Sequence, residues 1–494
     1  ITVLDRHTGK VLWERQAAYS FRHNTIIAGH DKVFCIDGFS PAKTGFMKRR
    51  GMNFADKPRI LALDAHTGKE LWTEPNNIFG TWLGYSEEYD VLLQAGARAG
   101  DRAPDEVRRG MTAYRGAGGD RLWHSAESYD GPPILYHDRI ITQTGGSNQK
   151  ARPAKTFHLL TGQRVTAAHP LTGETIPWQW VRFKGCNTAI ASEHLLTFRS
   201  ASGAYVDLSC SQGTTSIGGF KSGCTSNLVV ADGVLNAPDY TRTCTCSYQN
   251  QTSLALVHFP ADDPWYPYVE SWSFDFLPAP DSPQPVKRVG INFGAAGNRM
   301  GPNGTLWLEY PSVGGPSPDI PIHVETEQPK LFRYHASRVE NGNTKHRGAL
   351  PWVGASGLEG VKTITIRPFA QPKNPDLNSK GEVQAFAKNA LKQAIQEMLP
   401  GASGSFDSPA PFTVRLYFAE LDNTAKAKRV FDVVLQGKHV LNDFDIAAEA
   451  GDNSVLVKEF KNIPIKDTLH VEFLSKSGQT APPLICGIEL IAAE

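Results

Sequence analysis

The sequence predicts a mainly β protein, with repeated four-stranded units in the first half and a β-sandwich in the second. A hairpin motif recurs in the first half, alternating apolar and polar segments fill much of the second, and one segment has a helical pattern. The 45 Gly, 33 Pro and 10 Trp are typical of a chain with many turns between short strands. A length of 494 residues exceeds one ordinary core and indicates two or three domains.

The charge balance argues against two classes of partner. The 51 basic and 50 acidic residues nearly cancel, and no block of Lys and Arg stands out, so we expect no nucleic-acid partner. No apolar run approaches the roughly 20 residues of a membrane helix, so we expect no membrane span. The sequence begins at Ile1 without an intact signal peptide, which indicates a processed product or a partial sequence.

The recurring motif begins as 3-VLDRHTGKVLW-13, returns as 62-ALDAHTGKELW-72 and has a degenerate third copy, 113-AYRGAGGDRLW-123. In each copy a short strand enters an Asp/Gly turn, and a second strand ends in Trp, which is a hairpin pattern. The segments before the second and third copies supply two more strands each. Four strands per repeat predict the blade of a β-propeller.

The motif resembles that of the PQQ-like (quinoprotein-like) β-propeller family, whose Leu-Asp-x-x-Thr-Gly-x-x-x-Trp turn places the Trp between blades. The resemblance assigns residues 1–259 to an incomplete propeller with half of one blade and about five more. We therefore expect the missing blades to come from an upstream segment or from another chain. Residues 38–58 interrupt one blade and are predicted to form a surface loop.

A Pro-rich stretch, 260–286, is predicted to be a linker, and residues 287–494 a second domain. The Phe-Ala-Glu, Arg-Val-Phe-Asp-Val and Asp-Phe-Asp-Ile elements within 413–451 resemble the malectin family, which implies a malectin-like β-sandwich. Independently, alternation in 413–420, 429–437 and 469–475 predicts half-buried strands. An apolar stripe that ends before Pro400 predicts a helical insertion near 380–399.

The malectin resemblance implies a carbohydrate site, built from aromatic side chains and an acidic residue on loops at one end of the sandwich. This sequence departs from that pattern: Asp422 and Asn423 replace an aromatic pair, Val339 replaces a tyrosine, and 479-QTAPP-483 lacks the acidic residue. Aromatic rings pack against the C–H face of a sugar. The remaining candidates for such a stacking surface are Trp307, Tyr310 and Tyr334.

The predicted propeller has no recognisable catalytic set. Quinoprotein dehydrogenases hold PQQ with calcium on the propeller axis beside an adjacent-cysteine disulfide, but this chain has only Cys244-Thr245-Cys246. We expect no cofactor, with PQQ and calcium as the alternative. Polar residues beside predicted blade strands are the catalytic candidates: Arg22, His23, Asp239, Tyr240, Arg242 and Tyr248.

The candidate disulfide cysteines are four of the five between positions 186 and 246: Cys186, Cys224, Cys244 and Cys246. Two disulfides among them are the plainer interpretation, with a four-thiolate metal site or free thiols as alternatives, so we expect no metal. Cys35 and Cys486 lie in apolar strands and are predicted to be small buried hydrophobes.

These features predict an exported bacterial protein, periplasmic, cell-surface or secreted, that is similar to planctomycete-type proteins. Its predicted role is a non-catalytic binding or scaffold protein with a glycan or protein partner. One alternative is a propeller-based enzyme acting on carbohydrate or alcohol substrates, as a lyase, a hydrolase or a quinoprotein-type oxidoreductase. Another is a structural subunit of a larger assembly. The absence of a recognisable catalytic set favours a protein that is not an enzyme, because a fold does not by itself carry a function.

Overall fold

A computed structural model describes most of the chain. The described residues are 1–52, 57–97, 106–144, 153–182, 185, 187–209, 213–220, 227–238, 252–256, 272–273, 280, 282–311, 320–339, 349–371, 404–422, 428–451 and 453–493. The chain divides into two compact units. Unit 1 comprises Ile1–Ala167, Ile176–Ser209 and Ser216–Leu256, and unit 2 comprises Ala168–Thr175, Cys210–Thr215 and Val257–Glu494.

Unit 1 is a series of small antiparallel sheets whose strands follow one another along the chain. The first sheet pairs β1 (Thr2–Leu4) with β2 (Val11–Glu14). Two four-stranded sheets follow, made of β3 (Ile27–Gly29), β4 (Lys32–Asp37), β5 (Arg59–Asp64) and β6 (Glu70–Glu74), and of β7 (Trp82–Ser86), β8 (Val91–Ala95), β9 (Arg109–Arg115) and β10 (Arg121–Ser128). The next sheet has β11 (Asp130–Tyr136), β12 (Arg139–Gln143) and β13 (Thr156–His158).

The remaining strands of this part of the chain are shorter. They are β14 (Thr166–Ala168), β15 (Thr175–Pro177), β16 (Ile190–Ala191), β17 (Leu195–Ser200), β18 (Ser202–Asp207), β19 (Thr214–Ser216), β20 (Val229–Ala231), β21 (Val234–Ala237) and β22 (Thr252–Ala255). The strands β16, β17 and β18 pair in order, as do β20, β21 and β22. These successive sheets confirm the mainly β class and its propeller-like first half.

The inner strands of the blades read as continuous apolar runs because both of their faces are buried. In β4, Phe34 and Ile36 pack against the sheet that follows, together with Leu92 of β8. The alternate residues of the same strand, Val33 and Cys35, pack on the opposite face with Trp13 of the preceding hairpin. Side chains that alternate across a strand therefore fill two separate cores between three successive sheets.

The repeated turn has the same geometry wherever the sequence is the same. Asp5 Oδ1 accepts hydrogen bonds from the backbone N–H and the hydroxyl of Thr8, both at 2.8 Å. Asp64 makes the same pair of contacts with Thr67, both at 2.7 Å. These bonds hold the pKa of both carboxyl groups below the usual value. Each turn ends in a glycine with φ of +69°, a conformation that glycine adopts readily: Gly9 and Gly68.

Residues 38–58 contain a helix, α1 (Pro41–Arg49), rather than loop alone. The Ser40 side chain caps it by accepting from the N–H of Lys43, and Pro41 fits the first turn because its missing N–H is not needed there. A 3₁₀ turn, His23–Thr25, precedes β3. No helix among the described residues is long and apolar enough to cross a membrane.

Unit 2 contains the sandwich. Its strands are β24 (Arg288–Phe293), β25 (Arg299–Met300), β26 (Leu306–Tyr310), β27 (Ile322–Arg333), β28 (Ser356–Ile366), β30 (Ala410–Ala419), β31 (Val430–Leu435), β32 (Lys438–Asp445), β33 (Val455–Ile465), β34 (Leu469–Ser475), β35 (Leu484–Ile485) and β36 (Gly487–Ala492). One sheet has the order β25, β26, β24, β36, β30, β33, and the other the order β27, β28, β34, β31, β32, with β35 paired to β28. A separate pair joins β23 (Gln284–Pro285) and β29 (Phe369–Ala370). The short helices are α2 (Pro351–Gly354), α3 (Ile446–Ala450) and a 3₁₀ turn, Ala336–Arg338.

One apolar core fills this unit. The strands β30, β31 and β34 coincide with the three alternating segments of the sequence, which confirms those predicted strands. Their inward residues, such as Leu416, Val433 and Val471, are fully buried in the same cluster. The predicted helix near 380–399 and most of the predicted linker lie outside the described residues.

Candidate functional site

A polar cluster of the sandwich centres on Asp422, shortly after β30. Tyr334, just beyond β27, donates its hydroxyl proton to Asp422 Oδ1 at 2.5 Å. Lys330 of β27 donates to Oδ2 at 3.3 Å, and the guanidinium of Arg338 lies 3.9 Å from Oδ1. We call these four residues the Asp422 cluster. A carboxylate thus stands among three donors where the malectin resemblance leads one to expect an aromatic side chain.

These contacts fix the charge states of the Asp422 cluster. The hydrogen bond from Tyr334 is the largest cause that holds the pKa of Asp422 below its usual value, and Lys330 and Arg338 act in the same direction. The same bond raises the pKa of the Tyr334 hydroxyl. The pKa of Lys330 is raised, chiefly by the carboxylate of Glu359 on β28. At neutral pH the cluster therefore consists of an anion, two cations and a neutral phenol.

The ring of Tyr334 is already in contact with other groups. The Arg338 guanidinium lies 4.3 Å from the ring centroid, a cation–π contact, and the ring of Phe332 is 6.0 Å away and tilted. Arg338 also donates to the carbonyl of Leu421 at 2.9 Å. A ligand that approaches this place meets a guanidinium and a carboxylate beside the ring, rather than an open aromatic platform.

A second, buried layer supports the Asp422 cluster. The Arg429 side chain is 4% exposed and its Nε donates to Glu420 Oε2 at 2.7 Å, while its Nη2 lies 3.4 Å from Glu359 Oε1. Arg429 also donates to the carbonyl of Pro482. Gln479 accepts from the N–H of Val430 at 2.9 Å, so the loop 479–483 is anchored to β31. The segment 479–483, which lacks the expected acidic residue, is therefore bonded to Arg429 and Val430 at this end of the sandwich.

The structure removes Trp307 from the three aromatic residues predicted to form a stacking surface. Trp307 is fully buried, and its ring packs 5.0 Å from Tyr417 and 5.8 Å from Trp352, so it presents no face to solvent. Tyr310 is half-buried against Phe293. Tyr334 alone of the three lies in the Asp422 cluster. Of the three predicted stacking residues, only Tyr310 and Tyr334 therefore remain candidates for contact with a sugar ring.

Of the catalytic candidates in unit 1, the structure describes two. Arg22 is buried and donates to the carbonyls of Gly38, Phe39 and Gly80, so it ties backbone segments together. His23 is exposed and lines a cavity of about 670 Å³, together with Asn24, Ile26, Ile27, Trp82, Leu83, Ala97, Glu106 and Pro132. The other four candidates lie outside the described residues: Asp239, Tyr240, Arg242 and Tyr248.

The predicted disulfide cysteines all lie outside the described residues: Cys186, Cys224, Cys244 and Cys246. Cys35 and Cys486 are free and buried, as the sequence predicts, and burial raises the pKa of each thiol to about 12. Within the described part of the chain, no group of three or more His, Cys, Asp or Glu side chains is arranged to hold a metal ion.

The sequence did not identify Lys330, Glu359 and Arg429 as members of the site. Lys330 and Glu359 lie directly opposite each other in the register of β27 and β28, which only a correct strand pairing reveals. Arg429 opens the Arg-Val-Phe-Asp-Val element, and Glu420 closes Phe-Ala-Glu. The last residue of the first motif and the first residue of the second could therefore have been recognised as site residues, because both lie at the same edge of the sandwich.

Comparison with known protein families agrees with the malectin-like prediction for this part of the sandwich. The family model described as Malectin domain matches residues 403–481. A malectin domain occupies this stretch. It contains Asp422, Glu420 and Arg429, together with Gln479. No protein of curated function is detectably similar in sequence to the chain.

Solved structures resemble the chain only distantly. A β-glucuronidase from Bacteroides uniformis aligns with 42% of this chain and 18% of its own, at 12% identity and a TM-score of 0.26. A plant receptor-like kinase, FER, aligns with 42% of each chain at 16% identity and a TM-score of 0.25. BamB from Moraxella catarrhalis aligns with 48% of this chain and 75% of its own, at 15% identity and a TM-score of 0.28. The chain spans less than half of the first two proteins, and similarity at this level does not bear on function.

Proposed function

We propose that the chain is an exported, non-catalytic binding or scaffold protein whose malectin domain engages a glycan through the Asp422 cluster. The observation that carries the proposal is the carboxylate of Asp422, held by Tyr334 and Lys330 at one end of the sandwich. Carboxylates and guanidinium groups are planar partners for sugar hydroxyls. Here Tyr334 and Lys330 orient the Asp422 carboxylate, and the carbonyl of Leu421 orients the Arg338 guanidinium. A protein partner at the same place is the alternative occupant.

The other parts of the proposal rest on the sequence. Residues 1–259 are proposed to be blades of a PQQ-like propeller, and the clustering of cysteines between positions 186 and 246 supports an oxidising, extracytoplasmic location. The non-catalytic role is supported by the contacts of Arg22, whose donors are used by backbone carbonyls. Export and the non-catalytic role are independent properties, so evidence against one does not contradict the other.

The test is a glycan array with the full chain, followed by titration of any bound glycan against two variants. Asp422→Asn removes the charge that orients Tyr334 and Lys330, so we expect at least a tenfold loss of affinity, about 1.4 kcal/mol. Asp443→Asn is the matched control, because Asp443 is exposed on β32 and its left-handed backbone accommodates Asn.

An array and an envelope-extract pull-down that both yield no Asp422-dependent binding would contradict the proposal. Binding that is equal in the two variants would also contradict it, because the glycan would then contact another surface.

A further inference from the structure

Three successive contacts between the sheets of unit 1 follow one rule. The indole N–H of each motif Trp donates to a carbonyl in the next repeated turn, at 2.8 to 2.9 Å, and the ring packs on the glycine three positions after that carbonyl. The pairs of carbonyl and glycine are Ala65 and Gly68 for Trp13, Gly116 and Gly119 for Trp72, and Leu159 and Gly162 for Trp123. Equivalent positions in these contacts can therefore be compared directly.

The positions two residues after the Trp and two after the glycine carry opposite charges in the first two contacts. At the first contact, Arg15 and Glu70 form an ion pair of 2.7 Å. At the second contact the signs are exchanged, with Glu74 after Trp72 and Arg121 after Gly119. Arg121 is exposed and forms no side-chain hydrogen bond or ion pair with any described residue. A salt bridge joins the two positions in the first contact, which we call the closed contact. No ion pair between described residues joins them in the second, which we call the open contact.

A cavity of about 690 Å³ occupies the open contact. Its lining residues are Glu74, Asn76, Asn77, Ile78, Phe79, Thr112, Tyr114, Arg121 and His124. This volume lies within the range of about 300–1,000 Å³ that is typical of small-molecule sites. All of the lining belongs to unit 1, so the cavity is independent of the Asp422 cluster.

Two buried side chains hold the wall of the cavity in place. Gln94 is fully buried; its Oε1 accepts from the N–H groups of Phe79 and Gly80 at 2.9 and 2.8 Å, and its Nε2 donates to Tyr114 Oη at 3.1 Å. Tyr114 is 1% exposed, and burial, aided by the charge of Glu74, raises its pKa to about 12. The phenol is therefore a neutral group fixed in the lining, and the segment that carries Phe79 is positioned before any ligand arrives.

The remaining groups around the cavity are planar, polar and balanced in charge. His124 contacts Thr112 through Nδ1 at 2.9 Å, and its ring meets that of Phe79 edge to face at 6.2 Å. Glu74 contributes one negative charge and Arg121 one positive charge, so no net formal charge favours an ionic ligand. A carboxylate, a guanidinium and two asparagine amides can each bond to neighbouring hydroxyl groups, while an aromatic ring offers a face to C–H groups.

We propose that this cavity is a second saccharide site, which takes an uncharged sugar unit between Arg121 and Glu74. The Arg121 guanidinium and the Glu74 carboxylate bind hydroxyl groups of the sugar, and the Phe79 ring contacts its C–H face. The proposal goes beyond the function assigned to the malectin domain, because it places a sugar in unit 1 with residues that the malectin domain does not contain.

The experiment is ligand-observed saturation-transfer NMR on the full chain, with D-glucose, D-galactose, D-mannose, D-xylose, maltose and cellobiose as neutral probes. D-glucuronate and L-alanine serve as the anionic and zwitterionic probes. Arg121→Met and Glu74→Gln remove one charge each and keep much of the side-chain volume. Both residues lie at the rim, so the variants are expected to fold, which circular dichroism checks. The matched control is Arg15→Met, which removes the corresponding basic residue of the closed contact.

We expect at least one neutral sugar to bind, its affinity to fall at least tenfold in both cavity variants, and the Arg15→Met affinity to remain unchanged. Tyr334→Phe must leave this binding intact, which separates it from any binding by the malectin domain. Four results would overturn the proposal: no neutral probe binds, a charged probe binds more tightly than every neutral one, the cavity variants bind normally, or Arg15→Met loses as much affinity as Arg121→Met.

Discussion

Arg429 of the sandwich and Arg121 of unit 1 show two ways in which a folded chain uses a guanidinium. Arg429 is 4% exposed, and its donors are shared by Glu420, Glu359 and the carbonyl of Pro482. Arg121 is exposed at the rim of a cavity and has no such partner among the described residues. A buried guanidinium that is bonded on three sides holds strands together, whereas an open one beside a carboxylate with no ion-pair partner among the described residues is available to a ligand.

The difference arises from strand context rather than from residue type. Arg429 precedes β31 at the end of the sandwich, where three segments meet and exclude water. Arg121 opens β10, an outer strand whose side chains are half-exposed or exposed. The same side chain therefore has a structural role in one place and a free hydrogen-bonding fork in the other, and mutations separate the two roles.

The largest effect is expected for Arg429→Met. It leaves Glu420, which is 2% exposed, without its ion-pair partner, and breaking a buried pair in this way typically costs about 3–5 kcal/mol. The free energy of opening of unit 2, measured by native-state hydrogen exchange of its peptides, reports this loss. Arg121→Met is the control and should change the stability of unit 1 by less than about 0.5 kcal/mol. Similar small changes in both variants would remove the distinction between the two arginines.

A smaller effect is expected when the contact between Trp72 and Gly119 is overpacked. A Cβ at Gly119 would lie 2.7 Å from the indole of Trp72, whereas a Cβ at Gly9 meets no atom within 4 Å. Both glycines have positive φ, so alanine is strained at both positions. Gly119→Ala should therefore cost about 1–3 kcal/mol more than Gly9→Ala, as overpacking typically does.

Chemical denaturation of the two alanine variants measures this difference. If Gly119→Ala is no worse than Gly9→Ala, the indole does not hold β6 against the following sheet.

The smallest effect is expected for Tyr334→Phe. It removes the hydrogen bond that contributes most to the lowered pKa of Asp422, and the loss should be about 1 kcal/mol at pH 7. A lowered folded-state pKa contributes stability that is present above the unfolded value and lost as the pH falls through the folded value. The difference between wild type and variant should therefore shrink as Asp422 becomes protonated in acid.

Unfolding free energies as a function of pH measure this effect, and Asp422→Asn provides the reference background. The pH dependence attributed to Tyr334 should disappear when Asp422 is already Asn. A difference that grows toward low pH would have the wrong sign and would contradict the assigned contact.

Much of the fold could be predicted because local chemistry repeats in the sequence. The Asp5 and Asp64 turns have the same letters and form the same hydrogen bonds, and the Trp of each motif contacts the next turn. Alternation in 413–420 and 469–475 identified two strands of the sandwich, because one face of each strand meets the core. These signals are contained within a few consecutive residues.

The burial of Trp307 could not be predicted in the same way, because it depends on distant partners. Gly290 lies directly opposite Trp307 in the parallel pair of β24 and β26, and a Cβ there would fall 2.2 Å from the indole. The space for the ring exists because a glycine more than a dozen positions earlier has no side chain. The composition of the Asp422 cluster has the same origin, since Lys330 and Asp422 are 92 positions apart.

Cys35 lies in unit 1 and Cys486 in unit 2, and both are free, fully buried thiols whose pKa is raised to about 12. Alkylating reagents react with the exposed thiolate, so each of these sulfurs reacts only when its surroundings open. Among the described residues, the chain therefore carries one native buried thiol in each unit that can report its opening. Peptide-resolved alkylation rates give two independent opening free energies from a single unmodified sample, without an engineered label.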